Sequence, residues 1–230
     1  RAFDVRSKVA PDRRGQRACG RRGAEGGSMT VAVLFARTDS VYKTLPDVEV
    51  YDIERDARTF AGGMPVVAHP PCARWCRLAG LVEARWGHRR GDDGGLFRFA
   101  LETVRMNGGV LEHPAYSDAW LAFDLPPPHR VGWQRGVCGG WSAHVEQGRY
   151  GHVAKKATWL YAFGLDSPPS LMWGANPDSK SAALVSWCGN HTNAFDRRPR
   201  VGKDAASATP ESFARVLVEL ARRCRVGMAA

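Results

Sequence analysis

Cys72 follows two prolines in the segment Ala68-His69-Pro70-Pro71-Cys72. Each proline locks its own φ, so the loop is stiff and the thiol is held in position rather than merely packed. A thiolate is a strong nucleophile. A lone cysteine is also often just a small buried hydrophobe, so its partners have to decide between the two. Glu112 lies forty positions further on and is followed by His113-Pro114. That interval fits one strand–helix–strand crossover. The ends of neighbouring parallel strands lie about 5 Å apart. A thiol and a carboxyl group could therefore face one pocket, a pairing suited to covalent attack coupled to proton transfer. Glu112 also has a plainer reading, as a capping or salt-bridging carboxylate.

Other groupings compete with this pair. His69, Cys72, Cys76 and His113 are soft donors at a tolerable metal-ligand spacing. A zinc deaminase, however, needs His-x-Glu ahead of Pro-Cys-x-x-Cys, and this chain has Cys-x3-Cys with no such upstream element. The expected metal count is none, and Cys76 is expected to pack in a helix after the loop. Arg74, Trp75, Arg77, His88, Arg89 and Arg90 interleave positive charge with an aromatic ring, which suits contact with bases and phosphates. The same pattern also describes a solvated loop around a half-buried Trp. Glu146 and Gln147 precede Tyr150 and could line the same pocket. Residues 188–193 read as a polar loop, either a recognition loop or a turn.

These residues need elements to hold them. Residues 30–35, 48–51, 64–68, 110–111 and 159–163 are short apolar runs of the kind found in buried strands. Leu96, Phe97, Ala100, Leu101 and Val104 recur at helical spacing, and Asn107-Gly108-Gly109 is a stop signal. Thr209 suits an N-cap and Pro210 the first turn of a last helix, with Phe213, Val216, Leu217 and Leu220 as its stripe. Strand and helix alternate, which predicts an α/β domain over 29–230 with an open, mostly parallel sheet and helices on both faces. Ligands bind such sheets at the carboxyl ends of the strands. Residues 165–203, rich in Gly, Pro, Ser and Asn, read as a long excursion or small subdomain.

Length and composition set bounds. A chain of 230 residues supports one sizeable core. No apolar run is long enough for a membrane span and no secretory signal is visible, so cytoplasmic placement with reduced thiols is expected for the six cysteines. Residues 1–28 carry eight Lys/Arg against three Asp/Glu and no periodicity, which reads as a disordered or non-native leader. That leader holds half of the net charge of +10. The rest of the chain is only mildly basic, compatible with a phosphate-bearing partner such as DNA or a nucleotide.

On these blocks the chain resembles the DNA cytosine-5 methyltransferases. That family carries its nucleophile in a Pro-Pro-Cys or Pro-Phe-Cys loop, with an acid roughly forty positions later in Glu-Asn-Val. Cys72 and Glu112 fall on those positions. A family segment Tyr-Gly-Val-Pro-Gln-x-Arg-x-Arg is matched here by Tyr150, Gly151 and the basic Lys156, with Ala154 and Thr158 at two other positions. Phe35 and Ala36 stand where the family has its cofactor loop, although Arg37-Thr38-Asp39-Ser40 contains no glycine, and Asp52 stands where an acid binds the cofactor ribose. All four blocks keep the family's order. The segments HPPCARW and LEHPAYS are also similar to those of short phage and bacterial proteins. The resemblance implies a Rossmann-like methyltransferase fold acting on cytosine C5 in DNA with S-adenosylmethionine. It implies Cys72 as nucleophile, Glu112 as the partner of base N3, and Lys156 and Arg74 as contacts to the base carbonyl or a phosphate. Phe35, Ala36, Asp52, Pro70 and Pro71 would line the cofactor side. His69, Trp75, His113, Tyr150, Gly151 and His152 would line the substrate side. Two alternatives stay open: a free nucleotide or modified base with a different cofactor, and a nucleic-acid-binding protein that kept the fold without catalysis.

Overall fold

The computed structural model describes residues 29–177, 183–185 and 199–225. The leader 1–28 and the loop 188–193 lie outside them. Seven strands form one sheet: β1 (Val31–Leu34), β2 (Val48–Val50), β3 (Val66–Ala68), β4 (Gly109–Pro114), β5 (Trp133–Arg135), β6 (Trp141–Glu146) and β7 (Ala157–Phe163), in the order β2-β1-β3-β4-β7-β6-β5. A short pair, β8 (Leu184–Val185) and β9 (Arg200–Val201), stands apart. The helices are α1 (Ala79–Trp86), α2 (Leu96–Asn107), α3 (Ala119–Ala122), α4 (Lys203–Ser207) and α5 (Glu211–Arg222). No helix among the described residues is long and apolar enough to cross a membrane.

The α/β expectation holds, but the sheet is parallel only over β2-β1-β3-β4. From β4 outward every neighbour is antiparallel. The cause is the connections. A parallel neighbour needs a long crossover, which α1 and α2 supply between β3 and β4. The links from β5 to β6 and from β6 to β7 are too short for that, so the chain turns back on itself.

Alternation along the strands sorts the core into two layers. Val31, Val33, Val67, Val110, Val145 and Leu160 face one side and meet α5. Ala32, Leu34, Ala68, Leu111 and Tyr161 face the other and meet α2. Both helices present the stripe their spacing predicts: Phe97, Ala100, Leu101 and Val104 on α2, and Phe213, Leu217 and Leu220 on α5, are buried. The cap of α5 falls on Pro210 rather than Thr209. Helices thus cover both faces of the sheet.

β1 is the strand at which the chain changes direction across the sheet. Its neighbours are β2 on one side and β3 on the other, so the carboxyl ends of β1 and β3 flank a topological switch point. Gly109 lets β4 come in beside β3. Its φ is +140°, and a Cβ built there would lie 2.0 Å from the Val66 carbonyl oxygen. Gly109→Ala is therefore expected to cost about 3 kcal/mol or more, read as a lower urea midpoint with an unchanged m-value.

Candidate active site

Glu112 lies within β4, which runs three residues past the apolar pair 110–111. Ala68 of β3 is paired with Leu111 of β4, so His69 and Glu112 stand side by side one step beyond that pair. His69 Nδ1 is 2.9 Å from Glu112 Oε2. His69 Nε2 is 3.0 Å from the Tyr42 hydroxyl, on the 3₁₀ turn Val41–Thr44. The consistent tautomer has Nδ1–H donating to Glu112 and the Tyr42 O–H donating to Nε2. Gln147 Nε2 donates to Glu112 Oε1 at 3.1 Å and to Thr158 Oγ1 at 2.9 Å. The result is a buried row Tyr42–His69–Glu112–Gln147–Thr158 on the α5 face of the sheet.

Charge follows from that row. Burial pushes the Glu112 carboxyl upward. The hydrogen bond from His69, with the positive charge of Lys156, outweighs it and brings the group down to about 2. Cys72, half-buried at the end of the proline loop, is driven the other way. Burial first, then the neighbouring Cys76 and Glu112, raise its thiol to about 11, against a downward pull from Lys156. Burial lowers the Lys156 ammonium, while Glu112 and Cys72 raise it. Lys156 Nζ also donates to the Ser207 and Ala208 carbonyls, at 3.2 and 2.9 Å. Cys72, Glu112 and Lys156 thus act electrostatically on one another.

The other expected site residues separate. His113 follows Glu112 and so points to the opposite face. There it is fully buried against Phe97, 5.2 Å between ring centroids, and Trp120. Neither ring nitrogen reaches a hydrogen-bond partner, although the Pro71 carbonyl lies near enough to favour the charged form. Trp75 is buried with Phe97 and Phe123, and its Nε1–H donates to Asp93 at 2.8 Å, so the ring is packing rather than open to a base. Tyr150 packs on Phe213, and its hydroxyl accepts from the Met172 N–H. Gly151 ends the 3₁₀ turn Gln147–Tyr150 at φ +94°. His152 is tied to main chain on both sides: Nδ1 meets the Ala154 backbone and Nε2 the Ala205 carbonyl. Pro70 is buried. Pro71, Arg74, Trp86 and His88 line an outer concavity of about 540 Å³ that includes neither Cys72 nor Glu112.

A second concavity, about 490 Å³, opens beyond the carboxyl ends of β1 and β2 and is lined by Ala36, Arg37, Thr38, Asp39, Ile53 and Asp204. Phe35 leads into it with φ +59°, so the left-handed turn that glycine usually makes is made here by phenylalanine. Asp52 spends its oxygens locally: Oδ1 accepts from the Glu54 and Arg55 N–H groups, and Oδ2 pairs with Lys43 Nζ at 2.6 Å. No group of three or more His, Cys, Asp or Glu side chains among the described residues could hold a metal ion. Comparison with protein-family models, with curated proteins and with solved structures finds no match to this chain.

Tyr42 is the member of the row that sequence reasoning missed. Its signal is the apolar spacing Val41, Tyr42 and Leu45 in a short connection. His113 gives the site its clearest titration. Burial holds the imidazole at about 4 against 6.5 when free. The unfolded chain therefore binds the proton first, and stability falls as pH drops from 6.5 towards 4. Glu112, lowered from 4.5 to about 2, acts in the window below 4.5. His113→Leu should remove the His113 share of the upper window and leave the smaller shares of the partly buried His144 and His152. Chemical denaturation should find the variant losing up to about 3 kcal/mol less than wild type between pH 6.5 and 4.

Proposed function

We propose that this protein modifies a pyrimidine base through Cys72, most simply by methylating cytosine C5 in DNA on a Rossmann-like methyltransferase fold. The observation that carries the reading is the pairing of Cys72 and Glu112 at the carboxyl ends of the adjacent parallel strands β3 and β4, with Lys156 acting on both. The switch point between β1 and β3 supports it, since open α/β sheets bind ligands there.

Each residue has a defined task. Cys72 Sγ, as thiolate, bonds C6 of the base. The C5–C6 π pair then makes C5 nucleophilic. Once C5 carries the methyl group it loses its proton to solvent water, the C–H electron pair re-forms the C5–C6 double bond, and the C6–S bond breaks to return the thiolate. Lys156 is the positive charge that favours that thiolate. Glu112, held ionised, is an acceptor whose oxygens keep spare lone pairs beyond His69 and Gln147. It suits the exocyclic amine of cytosine, where thymine offers only an acceptor, and it accepts a hydrogen bond from N3–H once N3 has taken a proton from solvent water. His69 and Gln147 fix the carboxylate's orientation.

S-adenosylmethionine, when bound, supplies the electrophilic methyl group. The concavity beyond β1 and β2 fits such a molecule in size and lining. Ala36 and the 89% exposed Ile53 offer an apolar wall for a ring. Arg37 is paired with Asp39 at 2.8 and 2.9 Å and with Asp204 at 3.5 Å, so a zwitterionic amino-acid end would have to exchange with these exposed pairs.

An oligonucleotide carrying 5-fluorocytosine, incubated together with S-adenosylmethionine, tests the reading: once C5 carries the methyl group, fluorine leaves it no proton to lose and the C6–S bond is not released. Intact mass should show one covalent adduct that disappears in Cys72→Ala, and Glu112→Gln should slow its formation about 100-fold. Absence of an adduct alongside tight DNA binding would instead support the non-catalytic alternative. Calorimetry with S-adenosylmethionine should show binding that weakens in Ile53→Asp. No heat from the wild type would remove the methyl donor from the scheme.

A further inference from the structure

Tyr116 is 48% exposed, yet its backbone sits at φ +63°. A bulky residue in the left-handed region is a strained outlier, and strain of this kind collects at functional positions. Core packing does not account for it, because almost half of the residue faces solvent. The ring is nevertheless placed with care. It lies 5.3 Å from Trp159 and 6.1 Å from His144, centroid to centroid, and the Arg77 guanidinium carbon is 5.5 Å from its centre. Trp159 cannot rotate freely, since its Nε1–H donates to His144 Nδ1 at 3.1 Å. The register sets His113, Trp159 and His144 abreast across β4, β7 and β6 on the α2 face of the sheet.

Charge around the patch is mainly positive. Arg77, Arg130 and Lys155 are exposed, and the last two act on His144. Glu146 opposes them, but it is buried, pairs with Lys155 and accepts from the Asn176 N–H. The patch is tied to the segment after the nucleophile loop, where the Asp118 N–H donates to the Trp75 carbonyl at 2.8 Å, and to β7, where the Ala115 N–H donates to the Ala157 carbonyl at 3.0 Å.

We propose that Tyr116, Trp159 and Arg77 form a stacking platform for unpaired bases of the DNA strand that carries the target. The proposal rests on the reading of Cys72 as a base-directed nucleophile acting on DNA and deepens it by naming where the strand beyond the target base is held. Base faces stack on aromatic rings without regard to sequence, and flanking cations track the phosphates. The platform lies on the α2 face while Glu112 faces α5. A strand crossing the carboxyl edge of β3 and β4 would touch both.

Fluorescence anisotropy with a short single-stranded DNA containing cytosine tests this. Tyr116→Ala and Tyr116→Gly should each weaken binding about tenfold, and Tyr116→Phe should stay within about twofold of wild type. Tyr116→Gly relieves the strained φ, so it should keep the wild-type melting temperature and separate lost binding from lost folding. Unchanged affinity in the alanine and glycine variants would overturn the platform, as would a wild type that binds no oligonucleotide. A Cys72-dependent adduct on 5-fluoro-deoxycytidine monophosphate in either case would leave the base-modification reading standing. Tyr116-dependent binding with no adduct on any substrate would keep the platform and remove that reading.

Discussion

A carboxylate taken out of water must be met by donors, or it takes up a proton. Glu112 is only 8% exposed, in the middle of the sheet, and much of the site follows from how its charge is met. His69 supplies one hydrogen bond and Gln147 another. Tyr42 holds the far side of His69, and Thr158 shares the Gln147 amide. Lys156 adds positive charge from β7's approach. Five elements are thereby pinned to one point. Removing a single partner from such a buried arrangement typically costs about 3–5 kcal/mol, because it leaves an uncompensated charge. The same arrangement fixes the protonation states around Cys72: the ionised neighbour helps keep the thiol protonated, and Lys156 pulls the other way.

The two faces of the sheet do different work. On the α5 face the polar row from Tyr42 to Thr158 sits at the carboxyl edge of a layer of valine, leucine and alanine that also holds Tyr150 and Phe213. On the α2 face the equivalent positions are aromatic, with Trp75, Phe97, Trp120 and Trp159 in contact around His113. His113 sits there without a hydrogen-bond partner, a neutral imidazole treated as a flat ring. Consecutive residues of one strand thus belong to opposite chemistries, and a one-residue slip of β4 would exchange them.

Much of this was legible from residue order. The Cys72–Glu112 interval reads correctly as one crossover between adjacent parallel strands, because the helical stripe of α2 and the apolar start of β4 lie between the two residues in plain view. His69 was visible as a polar residue at a strand end, but its role was not. Its partner Tyr42 sits on a short 3₁₀ turn, and turns of three or four residues leave no periodicity to read. Trp75, Tyr150 and His152 illustrate the reverse. Their types suit base contact, yet Asp93, Phe213 and two carbonyls claim them in the fold. The antiparallel half of the sheet was hidden for a related reason: β5 and β6 carry Trp, Gln, Arg and His in place of a clean apolar run.

By itself the sequence determined the α/β class, the two helices that cover the sheet, and the placing of a thiol and a carboxylate at neighbouring strand ends. Those depend on local periodicity and on intervals along the chain. Only the tertiary structure decided that His113 turns away from Glu112, that His69 and Gln147 converge on it from other strands, and that Tyr116 stands strained at the rim. Side-chain facing is set by register, and hydrogen-bond partners are set by which segments fold into contact. Glu112 is joined to Tyr42 and Gln147 across seventy and thirty-five residues of intervening chain, and no local pattern encodes a contact made over that distance.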